Sequence, residues 1–190
     1  MRFAHTDHYE RMLNAGFCGL VVTSLTEGAC GRDTSAQGLS LISIYLLAPL
    51  ILHQDASARI KRSPERGLAE FITSHPRLSI GLEYRIMNAL PHVRSGLSLA
   101  LARNAIEFNK NSGMVLSVNA VASRRDSRLR ELLASDDYDR VKSSLQLGRW
   151  TSHMSVAQIC SALTVRPVWT HAAQTIPDEE QPIARPMNEQ

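Results

Sequence analysis

The stretch that most constrains this fold runs from Leu39 to Leu52, LSLISIYLLAPLIL, and is almost entirely apolar. Its 14 residues are too few for a membrane-spanning helix, which needs about 20, whereas roughly 10–14 apolar residues are typical of a buried core helix. Pro49 lacks a backbone donor and clashes with the preceding turn, so it predicts a kink or an end in this helix. The basic segment that follows, DASARIKR, is interpreted as a loop or a frayed helix end.

Composition favours a mainly α protein. Of the 190 residues, 44% are hydrophobic but only 5% are aromatic. We predict one compact helical domain over 1–168 and a disordered tail over 169–190, with a possible subdivision near 109–123 that would set apart a C-terminal helical part over 124–168. The three cysteines form no CxxC pair. Because the N-terminus also lacks an apolar run, we predict a cytoplasmic protein with no disulfide framework, no signal peptide and no membrane contact.

Hydrophobic periodicity predicts the positions of the secondary-structure elements. Seven helices are predicted, over 7–28, 39–53, 63–75, 77–90, 91–108, 136–150 and 155–163. The residues from Gly28 through the polar segment after Gly31 are interpreted as a loop. A period of two predicts a strand or small hairpin near 113–122. Its apolar face would carry Met114, Leu116, Val118 and Ala120, with Ser117 and Asn119 on the other face.

Basic side chains are more numerous than the net charge of +3 suggests, because the last fourteen residues hold four acids and one base. Residues 1–176 therefore carry a net charge of +6, and eighteen of the 21 basic residues are arginines. Arginine suits forked contacts to carboxylate or phosphate, although GC-rich codon usage explains the bias equally well. Two clusters are candidates for contact with nucleic acid or an acidic partner, the alternative being solvated loops. They are Arg59, Lys61, Arg62 and Arg66, and then Arg124, Arg125 and Arg128.

The segment around 155–167 is similar to the first helix and turn of a helix-turn-helix, with Ile159 and Leu163 packed inward. A recognition helix should follow, but the sequence after Pro167 does not predict one. The alternative function is therefore a DNA-binding winged-helix-like module that contacts duplex phosphates through the basic loops.

Catalytic patterns are missing from the sequence. It contains no GxxxxGK[ST], GxSxG, HExxH or GxGxxG pattern. We therefore predict a protein that is not an enzyme, with no cofactor and no metal.

An ordered set of short segments runs along most of residues 10–168. The segments are NAGFCG at 14–19, LLAPLILH at 46–53 followed by Arg59, Ser63 with Leu68 and Ala69, SHPRLSIGL at 74–82, LGRW at 147–150 and LTVRP at 163–167. This set resembles the middle component of bacterial three-component ABC ATPase (ABC-3C) systems. Ala15 stands where the family pattern has proline, and Thr164 stands where it has glycine.

The resemblance implies a non-enzymatic adaptor that couples an SMC- or Rad50-like ABC ATPase to a third, effector-like component, in defence against phages or plasmids. An adaptor of this kind should expose apolar surface, for which the 39–53 helix and the region of Trp150 are candidates. The alternative for Trp150 is that it packs between the last two helices. Candidate partner contacts are Phe17, Pro49, Leu52, His53, Trp150, Arg166 and Pro167.

Overall fold

The computed structural model describes residues 14–31, 38–63, 66–118 and 126–165. The helices in these ranges are α1 (Ala15–Cys30), α2 (Leu41–Leu52), α3 (Gln54–Arg62), α4 (Leu68–Ser74), a 3-10 helix (Pro76–Ser79), α5 (Leu82–Ala102), α6 (Asp126–Leu132), α7 (Ser135–Thr151) and α8 (Val156–Leu163). The strands are β1 (Leu39–Ser40), β2 (Ile106–Asn109) and β3 (Met114–Ser117). The prediction of a mainly α fold with a small β-hairpin is confirmed.

Helix α2 lies in the core, as its apolar sequence predicts. Ser40 caps its N-terminus by accepting a hydrogen bond from the backbone N–H of Ser43 at 3.0 Å, and Leu47 is fully buried. Pro49 lies inside the helix, which continues to Leu52. Only Ile42 among its large apolar side chains is exposed, at 42%, so in the described chain this helix leaves little apolar surface for a partner.

The basic segment after α2 is helical, which corrects its interpretation as a loop. His53 caps α3 by accepting a hydrogen bond at Nδ1 from the backbone N–H of Ala56 at 3.4 Å. Ala56 and Ile60 are buried, and the Ser143 hydroxyl of α7 donates to the carbonyl of Ser57 at 2.7 Å. These contacts with the core stabilise a helix that its polar sequence alone does not predict.

Within the described residues, no single helix is both long and apolar enough to cross a membrane. The pair α2 and α3 passes the same test by length and composition, with a bend of 94° between the two helices.

Glycines allow α1 and α7 to approach each other closely. A Cβ atom built on Gly148 of α7 would lie 2.1 Å from the carbonyl oxygen of Leu25, and one on Gly28 would lie 2.2 Å from that of Leu145. Gly28 is therefore part of a helix crossing, and its assignment to a loop is wrong. Asn14 caps α1, since its Oδ1 accepts from the N–H groups of Gly16 and Phe17 at 2.9 and 3.2 Å.

Helix α5 continues through Pro91, although two helices divided at this proline were predicted. Pro91 is exposed, so water can satisfy the carbonyl group that loses its helical partner there. Leu82, Ile86 and Val93 lie on the buried side of the helix. The helix ends at Ala102, and residues that were predicted to extend it form β2 instead.

The strands form an antiparallel sheet in the order β1-β3-β2. Phe108 pairs with Val115, and the hairpin turn contains Gly113 at a φ of 68°. Val115 is buried at 1% exposure, whereas Val118 is 47% exposed. The hairpin is confirmed, but the predicted apolar face of β3 is wrong, because Val115 is the residue that enters the core.

Helices α7 and α8 lie within one residue of their predicted ranges at each end. The Ser155 hydroxyl accepts from the Gln158 N–H at 3.2 Å, while Gln158 Oε1 accepts from the Ser155 N–H at 2.8 Å. This capping box fixes the start of α8. Residues 166–190 lie outside the described ranges, and the winged-helix part is not confirmed.

The two departures from the family pattern fall at helix ends. Ala15 is the first residue of α1, the position where proline is favoured. Thr164 follows α8 in the left-handed region, at φ 57° and ψ 28°, and Val165 donates to the carbonyl of Cys160 at 3.1 Å. This turn is a Schellman-type helix end, in which glycine is the usual residue.

Thr164→Gly is expected to raise the free energy of unfolding by about 1 kcal/mol, because it removes the steric cost of a left-handed β-branched residue. Thr73→Gly is the matched control. Thr73 is an exposed residue of α4, where glycine should lower stability. Chemical denaturation of both variants measures the two shifts, and equal shifts would contradict the assignment of strain to Thr164.

Candidate interaction surface

Three of the predicted partner contacts lie in the core of the chain. Phe17 is 8% exposed and Leu52 is 2% exposed, and Pro49 is buried as well. Arg166 and Pro167 lie outside the described residues. The structure therefore brings Phe17, Pro49 and Leu52 together as packing residues, and their side chains are not available on the surface of this chain.

Trp150 is half-buried at the end of α7 and packs against the core. Its ring lies 5.5 Å from that of Phe71, measured between centroids, with 38° between the planes. Phe71 belongs to α4, so Trp150 packs against an earlier helix of the chain. The indole is half-buried against the core, and its packing partner differs from the last two helices that were predicted.

The basic residues of the first cluster are exposed on or just after α3. Arg59, Lys61 and Arg62 are exposed residues of that helix, and Lys61 forms an ion pair with Asp139 of α7. Arg66 is also exposed. Of the second cluster, Arg128 is exposed on α6, and Arg124 and Arg125 lie outside the described residues. The structure thus places the described members of the two clusters on separate elements.

Arg59 also contributes to a pocket of about 800 Å³ that sequence reasoning did not identify, and that we call the basic pocket. Four elements meet there: the start of α3, the end of α4, the 3-10 helix and the start of α5. Its lining residues are His53, Asp55, Arg59, Ser74, His75, Pro76, Arg77, Leu78, Ile80, Gly81 and Arg85. Three arginines and one carboxylate are therefore among the lining residues, which gives the pocket a net positive charge.

Arg85 organises the floor of this pocket. Its guanidinium donates to the backbone carbonyl of Leu78 and, at 3.2 Å, to that of Ile80. Its Nε is buried without a hydrogen-bond partner, and burial lowers the pKa of the guanidinium from its ordinary value. An arginine keeps its charge under such a shift, so Arg85 adds positive charge while it holds the turn between the 3-10 helix and α5.

Exposed apolar side chains lie directly beside the basic pocket. Ile80 is 75% exposed, Tyr84 73% and Met87 62%, and we call these three residues the α5 patch. Tyr84 and Met87 are three residues apart on α5 and therefore neighbours on its surface. Ile80 belongs to both the patch and the pocket lining, so the two features are continuous.

The sequence contained a signal for the α5 patch. The buried residues Leu82, Ile86 and Ala89 have helical spacing, and Tyr84 and Met87 form a second apolar set on the same helix. A helix that is apolar on two sides either lies in the middle of the fold or has its second side covered by a partner. The predicted helix over 77–90 contained these residues, but no exposed apolar side was assigned to it.

The described residues contain no cluster of reactive groups. No three or more histidine, cysteine, aspartate or glutamate side chains among them are placed to hold a metal ion. Burial raises the pKa of the Cys18 thiol to about 11, which keeps it protonated and poorly nucleophilic at neutral pH. The described part of the chain is a mainly helical protein with a basic pocket beside exposed apolar side chains.

Comparison with known families assigns the chain more closely. Residues 4–167 match the family described as ABC-three component (ABC-3C) system Middle Component 3, and the chain belongs to that family. No curated protein and no solved structure matches the chain. The resemblance inferred from the ordered sequence segments is therefore confirmed.

Proposed function

We propose that this chain is a non-enzymatic, cytoplasmic adaptor that couples an SMC- or Rad50-like ATPase to the third component of its ABC-3C system, in defence against phages or plasmids. Membership of the middle-component family supports a role alongside other components of such a system. The observation that carries the adaptor role is the α5 patch, in which Tyr84 and Met87 remain mostly exposed. Protein interfaces are enriched in such aromatic and methionine side chains.

The patch supports an interface because it differs from the rest of α5. Leu82 and Val93 on the same helix are each 1% exposed, so the core accepts apolar residues on one side while the other side keeps two large ones in water. Scattered single apolar residues on a surface are ordinary, whereas neighbouring ones beside charged groups are typical of binding sites. A partner that covers the patch would gain the apolar burial that the isolated chain lacks.

Co-purification tests this proposal. The tagged chain, expressed with the neighbouring genes of its system, is expected to retain the ATPase in stoichiometric amount through moderate-salt and high-salt washes. Tyr84→Glu with Met87→Glu is expected to reduce the retained ATPase at least about tenfold, because charge on the patch opposes its desolvation. Leu132→Glu is the control, since Leu132 is 71% exposed on α6 and lies outside the patch.

The competing function is DNA binding through α3. Its exposed Arg59, Lys61 and Arg62 favour phosphate contact, although the ion pair to Asp139 occupies Lys61. Replacing all three with glutamate should abolish duplex binding under that function, while a partner held through the α5 patch should remain. A monomer that retains no ATPase and releases nucleic acid as salt rises would reject the adaptor.

A further inference from the structure

We propose that the basic pocket and the α5 patch form one docking surface, and that its occupant is an acidic amphipathic segment of a partner protein. The inference rests on the proposed adaptor function and names the chemistry of the partner. Carboxylate side chains of the segment would contact Arg59 and Arg77 at the pocket, while its apolar side chains would cover Tyr84 and Met87. The partner is therefore expected to contain a segment in which acidic residues lie next to apolar ones.

Continuity between the two features supports a single surface. Ile80 lines the pocket and is 75% exposed, so exposed apolar surface reaches the pocket itself. The hydrogen bonds from Arg85 to the carbonyls of Leu78 and Ile80 fix the turn that carries Arg77 and Ile80. Arg85 is thus a positioning residue, and the surface is held in place before any partner binds.

Charge complementarity indicates an acidic occupant. In the described part of the chain, the Arg59 and Arg77 guanidinium groups make neither a hydrogen bond nor an ion pair, and both residues are exposed. Their forked donors match carboxylate geometry. The pocket lining also contains two histidines and, besides the three arginines, one carboxylate, that of Asp55. The arginines therefore outnumber the carboxylate, and the pocket carries net positive charge at neutral pH.

The apolar neighbours favour a protein segment over a nucleic-acid backbone. A phosphate backbone presents a continuous row of charge, which would leave Ile80, Tyr84 and Met87 uncovered. An amphipathic protein segment places carboxylates and apolar side chains side by side. Only such an occupant uses the arginines and the patch together.

The test uses the full chain and the system component that it retains in co-purification. Arg59→Glu with Arg77→Glu is expected to weaken the complex by about tenfold or more, because two attractive contacts become repulsive. Arg62→Glu with Arg128→Glu makes the same change of charge at exposed positions outside the pocket and should leave the Kd within about twofold. Arg59→Lys with Arg77→Lys should lose less affinity than the glutamate pair, because lysine keeps the positive charge but lacks the forked donors. Titration calorimetry at low and high salt measures each Kd.

The outcomes separate this inference from the adaptor function. The acidic segment is supported if only Arg59→Glu with Arg77→Glu loses affinity for the component. The affinity of the original chain should also fall as salt rises, and this salt dependence should disappear in that variant. If the original chain binds the component but the pocket variant binds it equally well, the acidic occupant is wrong and the adaptor remains. If the original chain retains no component, the adaptor function itself fails. If the pocket variant loses affinity for a duplex DNA fragment and not for the component, the surface binds phosphate and the inference is overturned.

Discussion

Gly148→Ala is expected to lower the free energy of unfolding by about 3 kcal/mol or more, or to prevent folding altogether. The new methyl group would lie 2.1 Å from the Leu25 carbonyl oxygen and 2.8 Å from the Ala29 nitrogen, both backbone atoms of α1. A flexible side chain could move away from such a contact, but two packed helices must separate along their length. Urea denaturation followed by circular dichroism measures the loss.

Gly67→Ala is the matched control for this experiment. A Cβ atom on Gly67 meets nothing within 4 Å, and the residue has extended backbone before α4, at φ −166°. Its replacement should change the free energy of unfolding by less than about 1 kcal/mol. If both alanine variants were equally stable, the close approach of α1 and α7 would be refuted.

Leu47→Ala is expected to lower the free energy of unfolding by about 2–5 kcal/mol. Leu47 is fully buried at the centre of α2, so the substitution removes apolar burial and leaves a cavity that rigid neighbours cannot fill. The same denaturation experiment measures the effect. It also tests whether the most apolar stretch of the chain serves folding or a partner.

Ile42→Ala on the same helix provides the comparison. Ile42 is 42% exposed, and its truncation should cost less than about 1 kcal/mol. A small effect at Leu47 together with loss of partner binding would show that α2 is an interface helix after all. If Leu47→Ala strongly lowers the free energy of unfolding but the folded variant binds its partner as the original chain does, Leu47 is a core residue.

Helices with a regular apolar period were predictable because their signal is local. The sequence of α2 predicted a buried helix, and the bounds of α7 and α8 followed from periodicity and from Ser155. Helix α3 was not predictable in this way, because its stability depends on burying Ala56 and Ile60 and on the hydrogen bond to Ser143. Pro91 led to the wrong prediction that α5 is two separate helices. The free-energy cost of a proline inside a helix depends on whether water hydrates the carbonyl group that loses its helical partner.

The candidate site was predictable only in fragments. Arg59 was identified as a member of a basic cluster, whereas Arg77 and Arg85 stand alone in the sequence and gave no signal. Phe17 and Leu52 were chosen as contacts from the resemblance and proved to be core residues. Apolar character alone does not distinguish a residue that packs inside the chain from one that a partner covers.

The sequence by itself determined the helical class of this protein, the burial of α2, the approximate bounds of α7 and α8, and membership of the middle-component family. Each of these depends on neighbouring residues along the chain or on their order. Only the tertiary structure decided that Arg59, Arg77 and Arg85 share one pocket and that Tyr84 and Met87 stay exposed beside it. Those outcomes depend on how distant helices pack, because packing selects which side of each helix is covered and which charged groups converge.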